Sequence, residues 1–450
     1  MNKITSSLHS TIKSLSNTHG DIELIVAYSG GIDSQVLLHA LAHLKQKKII
    51  NNKITVCHVN HGLSDNAQRW QEFAHQECDK LSLRLVIKSV NVQPKAQLSL
   101  EALAREARYA ALKSLSNEKS LVLTGHHSDD QSETFLLALK RGAGLKGLSA
   151  MSEQIPLGKH ILVRPLLTTS RLAIEAYAKA HQLSWVEDES NEDTCFDRNF
   201  IRQQIMPLLR ARWPSINNTI NRSASHCLAS QELLDELAEQ DLSACKASEL
   251  SLHIQTLTNL SSARFNNLIR YFMAINHCLM PSTEQLKQVR QQLTADGDKN
   301  PEIKVANHFL RRFKNTLYLT PQYSDLSAWQ RPIDLSKEVT EIVLPDNLGA
   351  LYFKHIAADY NELSGICLPK LGQQVVVRFS HSNPKCLPDF RQHSRSLKKV
   401  LQELHIPPWQ RKRIAFLYYD NELVAAIGHF ICQSFIARPN EKSMQVICHQ

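Results

Sequence analysis

Apolar positions in the first half of the chain follow two alternating rhythms. Short continuous apolar runs occur at residues 22–28 (IELIVAY), 54–59, 83–90 and 121–124. Each reads as a buried strand. Between them the spacing changes to that of a helix. Leu37, Leu38, Leu41 and Leu44 share one face over residues 35–47, residues 66–81 read as helical with Trp70, Phe73, Ala74 and Leu81 apolar, and a third helical pattern covers 100–115. Strands alternating with helices predict βαβ units, hence an α/β domain with a doubly wound parallel sheet. In such sheets ligands bind at the C-terminal ends of the strands.

The rhythm changes after Pro207 and Pro214. Residues 215–293 contain no glycine, are rich in Leu, Ala, Glu and Gln, and read as helical. Residues 295–301 (ADGDKNP) read as a turn. Short β-like runs follow: KVANHFL, NTLYL, VTEIVL and VVVRF, then a basic helical stretch at 396–404, then FLYYD and LVAAIGHFI. The expected organisation is a catalytic domain at 1–214, a mostly helical middle domain at 215–325 and a small α+β C-terminal domain at 326–450. A prior of roughly 150 residues per domain fits three domains in 450 residues.

Composition narrows the class. With 43% hydrophobic and 21% charged residues the chain can bury a large core. No run approaches the roughly 18 apolar residues of a membrane span, and the N-terminus lacks the apolar stretch of a secretory signal, so a cytoplasmic protein without membrane contact is expected. The net charge of +9 favours an anionic partner. It is spread along the chain, with +5 up to Trp213 and +4 beyond, so there is no basic tail. Ten cysteines without a Cys-x-x-Cys pair read as free thiols and give little support to a zinc site.

Ser29-Gly30-Gly31-Ile32-Asp33-Ser34 follows the first strand and opens a helix. Two glycines let backbone N–H groups approach phosphate oxygens without an intervening Cβ. Ser29 and Ser34 supply hydroxyl donors, and the helix N-terminus supplies a positive dipole end. Asp33 repels a bare phosphate, so its expected task is to hold Mg²⁺. A glycine turn capped by Asp33 and Ser34 explains the geometry but not both serines. The loop is not a Walker A sequence, because no Gly-Lys-Ser/Thr follows. It resembles the PP-loop of the N-type ATP pyrophosphatases, which implies a doubly wound fold and cleavage of ATP between its α- and β-phosphates. A later match to G-x-G-x-x-G, at 142–147, follows a helical run and lacks the strand that dinucleotide binding needs; a helix stop followed by a mobile loop is expected there.

A second constellation, His126-His127-Ser128-Asp129-Asp130-Gln131-Ser132-Glu133, lies directly after the fourth strand, on the sheet edge that carries the glycine loop. Ser128 and Gln131 have capping-box spacing. Acidic residues in a first helical turn are ordinary dipole partners. Asp130 and Glu133, however, are three apart and share a helical face, where they can hold a metal or a cationic substrate.

These residues widen the resemblance. GHHSDDQSETFLLALKRGAGLKGLSAM is similar to the signature block of the tRNA(Ile)-lysidine synthetase family. CHVNHGL at 57–63, EALAREARYAAL at 101–112, RPLL at 164–167, WVEDESNEDTCFDRNFIR at 185–202 and PPWQRKRIAFLYYDNELVAAIG near the C-terminus match it in order. The similarity covers almost the whole chain and is weakest between about 215 and 370. It implies ATP-dependent ligation of L-lysine to C2 of the wobble cytidine in the isoleucine tRNA with a CAU anticodon. Cytidine O2 attacks the α-phosphate and pyrophosphate leaves; the lysine ε-amine then attacks C2 and AMP leaves. The implied cofactors are ATP and Mg²⁺, and the resemblance leaves room for a homodimer.

On that basis Ser29 to Ser34 bind ATP, with Asp33 as metal ligand and Asp33 and Asp130 catalytic. Asp130 and Glu133 are the candidates for lysine's cationic groups. Arg105 and Arg108 can pair with its carboxylate or with phosphate, or form a solvated helix face. Arg198, Asn199 and Arg202 point a helix toward RNA or nucleotide, or else pair with Glu187, Asp188, Glu189 and Asp193. Arg391, Arg395, Lys398, Lys399, Arg411, Lys412 and Arg413 lie within 23 positions with one acid, Glu403. Such a cluster can grip tRNA phosphates, with Lys398, Lys399, Arg411 and Arg413 as its expected contacts, or be a solvated basic face. Two other readings compete. A PP-loop tRNA thiolase commonly uses paired or cluster-binding cysteines, and no Cys-x-x-Cys is present. A non-catalytic tRNA-binding protein has no need of an intact loop and acid pair.

Overall fold

Strand β1 (Glu23–Tyr28) is apolar on both faces because helices cover both sides of its sheet. The structure is a computed structural model that describes residues 2–20, 22–62, 66–92, 100–116, 118–294, 301–335, 339–356, 365–438 and 441–449. The predicted turn at 295–300 and Leu63 lie outside them. The chain divides into two units, Met1–Glu236 and Leu237–Gln450.

The first unit runs α1 (Lys3–His19), β1, α2 (Ile32–Gln46), β2 (Ile54–Asn60), α3 (Ala67–Lys80), β3 (Arg84–Ser89), α4 (Leu100–Lys113), β4 (Ser120–Leu123), α5 (Ser128–Lys140), α6 (Leu145–Leu148), β5 (Gln154–Leu157), β6 (His160–Val163), α7 (Arg171–Ala180), α8 (Asp197–Phe200), a π-helical turn (Ile201–Ile205), α9 (Met206–Arg212) and α10 (Ile216–Cys245), which continues past Glu236. The sheet order is β3-β2-β1-β4-β6-β5, parallel except for the β5 edge. Alternate residues sort to opposite faces. Leu24, Val26 and Tyr28 enter one cluster with α1, α2 and α7, while Ile25 joins Cys57, Leu112, Val122 and Leu162 on the other side. The strand order reverses at β1 and β4, and both candidate motifs leave the sheet there.

The second unit begins with helices, as the sequence suggests, but its helical pattern is interrupted by a hairpin. Lys246–Ser248 and Ser251–His253 join Thr316–Pro321, His308–Phe313 and Glu302–Val305 in an antiparallel sheet. Helices Ser262–Ile275 and Thr283–Thr294 share its core through Phe265, Phe272 and Leu286. KVANHFL is not one strand: it turns at Ala306, whose φ is +52°, between two paired strands. Further along, a five-stranded sheet (Gln330–Ile333, Val375–Arg378, Phe416–Tyr419, Glu422–Ala426, Phe430–Ile431) and a four-stranded sheet (Val339–Val343, Ala350–Ile356, Ser443–His449, Ile366–Cys367) share a core. The basic stretch forms the helix Leu397–Glu403, which buries Leu397, Val400 and Leu401.

Candidate active site

The glycine loop turns directly from β1 into α2. Gly30 adopts φ +87°, a conformation that L side chains rarely take. Its carbonyl accepts from the Val186 N–H at 3.0 Å, and a Cβ at Gly30 would come 2.7 Å from Val186 Cγ2. Crowding at this glycine is therefore felt first by Val186. The Ser34 hydroxyl donates to the Gly31 carbonyl at 2.9 Å and lies 3.2 Å from Ser29 Oγ, so the two serines hold the loop. Ile32 is buried as the first residue of α2.

Gly125, between β4 and α5, allows the second motif to approach. A Cβ there would lie 2.9 Å from the Asp33 carbonyl carbon and 3.0 Å from Ser34 N. The two motifs thus pack backbone to backbone at the start of α2.

The helix after β4 begins one residue earlier than its serine suggests. His127 is the N-cap, and the capping box is His127 with Asp130: the His127 N–H donates to Asp130 Oδ2 at 3.0 Å, and His127 Nδ1 accepts from the Asp130 N–H at 3.4 Å. Gln131, expected to be the box partner of Ser128, instead bonds both backbone groups of Met151 at 2.7 Å. The imidazole of His127 is buried, with Nε2 3.6 Å from Asp33 and 3.5 Å from Asp130. It links the two aspartates expected to be catalytic.

Four carboxylates and four guanidiniums interlock around this point. Arg171 Nη1 donates to both Asp33 oxygens at 2.9 and 3.0 Å. Arg202 donates to Glu133 through Nε at 2.7 Å and Nη2 at 2.8 Å, and to Asp130 at 3.3 Å. Arg198 lies 3.8 Å from Glu133 and donates to Thr134 Oγ1 at 3.0 Å. Arg210 and Asn217 bond Asp129, which also accepts from the Arg171 backbone N–H at 3.0 Å. Asp129 is thereby a tie between α5, α7, α9 and α10. Arg198, Arg202 and Arg210 are spaced by multiples of four, and the π turn keeps them in one row along a continuous helical run.

The sequence offered two fates for Arg198 and Arg202: pointing to RNA, or pairing with the acids at 187–193. In the structure they pair, but with α5. The lysine-site candidates and the RNA-site candidates therefore face one another. Asn199 turns away and donates to the Asp193 carbonyl at 2.9 Å. Arg171, Arg210 and His127 were not singled out from sequence. His127 was visible within the motif, but neither arginine belongs to a distinctive local pattern.

Burial shapes the protonation states. It raises Asp33 and Glu133 above the ordinary carboxylate range, against the opposing charges of His127 and Arg171 for Asp33 and of Arg202 for Glu133. At Asp130 burial also pushes upward, but His127, through its charge and backbone N–H, outweighs it and the group sits low. Burial holds His126 at about 4; Arg164, Arg105 and Arg198 add to that effect and Asp130 opposes it. Arg105 is exposed and lies over the Tyr109 ring at 5.2 Å, while the charge of Arg108 is felt at His61, just beyond β2. Both lie on α4.

The expected stop at the end of α5 is present: Gly142 has φ +64°. A further helical turn, α6, follows it.

The C-terminal cations are placed unequally. Arg391 and Arg395 both pair with Glu403. The Arg411 Nε donates to the Ile406 carbonyl at 2.7 Å. Arg413 pairs with Asp346 and lies 4.3 Å from the centre of the Tyr323 ring, with its side chain 12% exposed. Lys398 and Lys399 are exposed.

Known proteins match the chain in three blocks. The PP-loop domain matches residues 4–209, the TilS substrate binding domain residues 252–318 and the TilS substrate C-terminal domain residues 375–448. The tRNA(Ile)-lysidine synthase of Serratia proteamaculans (strain 568) is 44% identical over 418 residues, covering 91% of this chain and 92% of that one. That of Pectobacterium atrosepticum is 40% identical over 436 residues, covering 96% of each. The chain belongs to the tRNA(Ile)-lysidine synthase family. Among solved structures, the U34-tRNA thiolase of Methanococcus maripaludis is 17% identical, with a TM-score of 0.40 over 50% of this chain and 80% of its own. The family models and the lysidine synthase relatives make the thiolase reading the weaker one. As a lysidine synthase family member with a PP-loop domain, the chain uses ATP. Among the described residues no helix is long and apolar enough to cross a membrane.

Proposed function

We propose that the chain catalyses lysidine formation on tRNA(Ile): ligation of L-lysine to C2 of the wobble cytidine of the CAU anticodon, with ATP converted to AMP and pyrophosphate in the cytoplasm. The observation that carries this reading is the buried pair Asp130 and Glu133, reached from the PP-loop through His127 and accepting a guanidinium from Arg202. A pair that accepts one organic cation fits the ammonium group of another.

In the first step the polyphosphate sits on the loop N–H groups at the start of α2, which neutralise charge as cytidine O2 bonds to the α-phosphorus and pyrophosphate departs. Asp33 suits Mg²⁺, since this ion is usually held by one or two carboxylates together with substrate phosphates, and Asp130 is near enough to raise Asp33 electrostatically. Bound there, the ion offsets polyphosphate charge. In the second step Asp130 and Glu133 orient lysine. Its ε-amine bonds to C2, AMP takes the C2–O2 bonding pair, and the amine loses a proton. Lysine's carboxylate is left for Arg105 or Arg108. Arg198 and Arg202 would serve tRNA once lysine takes over their carboxylates; in the second unit the exposed Lys398 and Lys399 serve tRNA phosphates, whereas Arg411 and Arg413, also expected there, are held by the Ile406 carbonyl and by Asp346.

The test is product analysis. Labelled lysine, ATP and several tRNAs are incubated with the protein and the nucleosides are separated. Label in lysidine from the CAU-anticodon isoleucine tRNA alone is expected. Sulfur incorporation, or ATP cleavage without lysine transfer, would defeat the reading.

A further inference from the structure

Cys386 and Cys432 meet inside the second unit. Cys386 ends the two-residue strand Lys385–Cys386, which pairs with Arg395–Ser396. Beyond it the chain runs antiparallel to the segment around Cys432. Pro388 bridges Cys432, the Gln433 N–H donates to the Leu387 carbonyl at 2.8 Å, and the Asp389 N–H donates to the Ile431 carbonyl at 2.9 Å. Residues two apart on a strand share a face, so this register makes the two cysteines diagonal neighbours on one face. Both are free, and both are buried in the cluster of Leu397, Phe416 and Phe430.

The pair is chemically unequal. The neighbouring Cys432 thiol and the Arg391 guanidinium hold Cys386 below the ordinary thiol range against the effect of burial. The same contact, together with burial, pushes Cys432 upward. A buried thiol is ordinarily inert while it stays covered. Here the covering is thin: the strand is two residues long, and Lys385, Asp389 and Gln433 are exposed. Local opening of so short an element requires little free energy.

We propose that Cys386 and Cys432 are a peroxide-responsive dithiol that closes to an intramolecular disulfide and alters the grip of Lys398 and Lys399 on tRNA. The Cys386 thiolate attacks one oxygen of hydrogen peroxide; the O–O bond breaks, and protonation releases water and leaves a sulfenic acid. The Cys432 sulfur then attacks the sulfenic sulfur, the S–O bond breaks and a second water leaves. Two thiols and one peroxide become one disulfide and two waters. Closure draws Cys386 from the Arg395 carbonyl, 3.6 Å from its sulfur, and so disturbs the ladder from which the Lys398 and Lys399 helix starts.

The regulatory half rests on the tRNA reading above. The experiment uses the full chain, reduced and then exposed to hydrogen peroxide. Remaining thiols are alkylated under denaturing conditions, and a non-reducing digest is read by mass spectrometry. A peptide pair joined through Cys386 and Cys432 is expected, reversed by dithiothreitol and absent from Cys386→Ser and from Cys432→Ser. Thiols alkylated as in untreated protein, or a link to another cysteine, overturn the assignment. The tRNA Kd of the linked form should rise several-fold and recover on reduction; an unchanged Kd overturns the regulatory half. Failure of the reduced protein to bind tRNA counts against the proposed function, while the mass measurement still decides the dithiol.

Discussion

Two groups of arginines look alike in sequence and differ in what they face. Arg198, Arg202 and Arg210 lie in a row opposite Asp129, Asp130 and Glu133, whose side chains are buried. Arg391, Arg395, Arg411 and Arg413 crowd a short stretch of the C-terminal region, yet Glu403, Asp346 and a backbone carbonyl already occupy them, and the exposed cations Lys398 and Lys399 are left beside them. In the first group three acids match three arginines, and each buried carboxylate must keep a partner out of water. In the second the cations are abundant and most are spent on architecture. The density of a charged motif therefore says little about its availability to a ligand; the pairing decides it.

Asp33 gives the largest way to break the first half of that contrast. If its carboxylate serves the reacting phosphates rather than only Arg171, Asp33→Asn should cut pyrophosphate release by about 10²-fold or more, the scale of losing one preorganised electrostatic contact. Binding of tRNA should stay close to normal. Ordinary turnover in a folded Asp33→Asn protein would reduce Asp33 to a structural partner of Arg171.

Glu133 comes next. A charge-assisted hydrogen bond contributes about 1.5–3 kcal/mol, so Glu133→Gln should raise the lysine KM by roughly 10- to 150-fold. The ATP KM should move much less, since only lysine brings an ammonium group. Equal changes in both constants would assign Glu133 to holding Arg202 in place.

Acidity sharpens the same point. Asp33 and Glu133 are raised in the folded chain by burial. Folding therefore favours their protonated forms: this contribution to stability is full below the unfolded pKa and is lost as pH rises through the folded one. Activity runs the other way, because the grip on cations needs both groups charged. Between about pH 4 and 7, acidification should lower kcat/KM for lysine, while this linkage contribution to Tm grows. Glu133→Gln should move the acid limb downward; an unmoved limb excludes Glu133 as its source.

How much of this was legible in the sequence depends on whether the cause was local. The period switch that predicts the parallel sheet is local, as is the glycine loop, and both are present. The spacing of Ile4, Leu8, Ile12 and Leu15, which buries one face of α1, is equally local. The capping box was misplaced by one residue because an imidazole took the role expected of the serine. Gly125 was not recognisable as essential, since what a Cβ would strike is the backbone of Asp33, distant in sequence. Arg171 and Arg210 were illegible for the same reason: their partners are set by the packing of α7, α9 and α10 on α5. The fold, the loop and the acid pair could be read; the cations that complete the site required the tertiary structure.

The smallest effect tests the second half of the contrast, and it separates cations that a sequence treats alike. Phosphate contacts release counterions, so each contact contributes up to about 0.9 to the slope of log K against log salt in duplex regions. Lys398 and Lys399 are exposed, whereas the Arg413 side chain lies against Tyr323 and Asp346. Replacing Lys398 and Lys399 with alanine should weaken tRNA binding modestly and flatten that slope by up to about 1.8, with no change in Tm beyond about 0.5 kcal/mol of stability. Arg413→Ala should do the reverse, lowering Tm through the lost ion pair and ring contact while leaving the slope nearly intact. Kd titrations at several salt concentrations, beside thermal melts of the same proteins, read both quantities. A slope change of up to about 0.9 in Arg413→Ala, the share of one contact, would mean that Arg413 leaves Asp346 for a phosphate when tRNA binds, and the division between structural and available cations would fail at that residue.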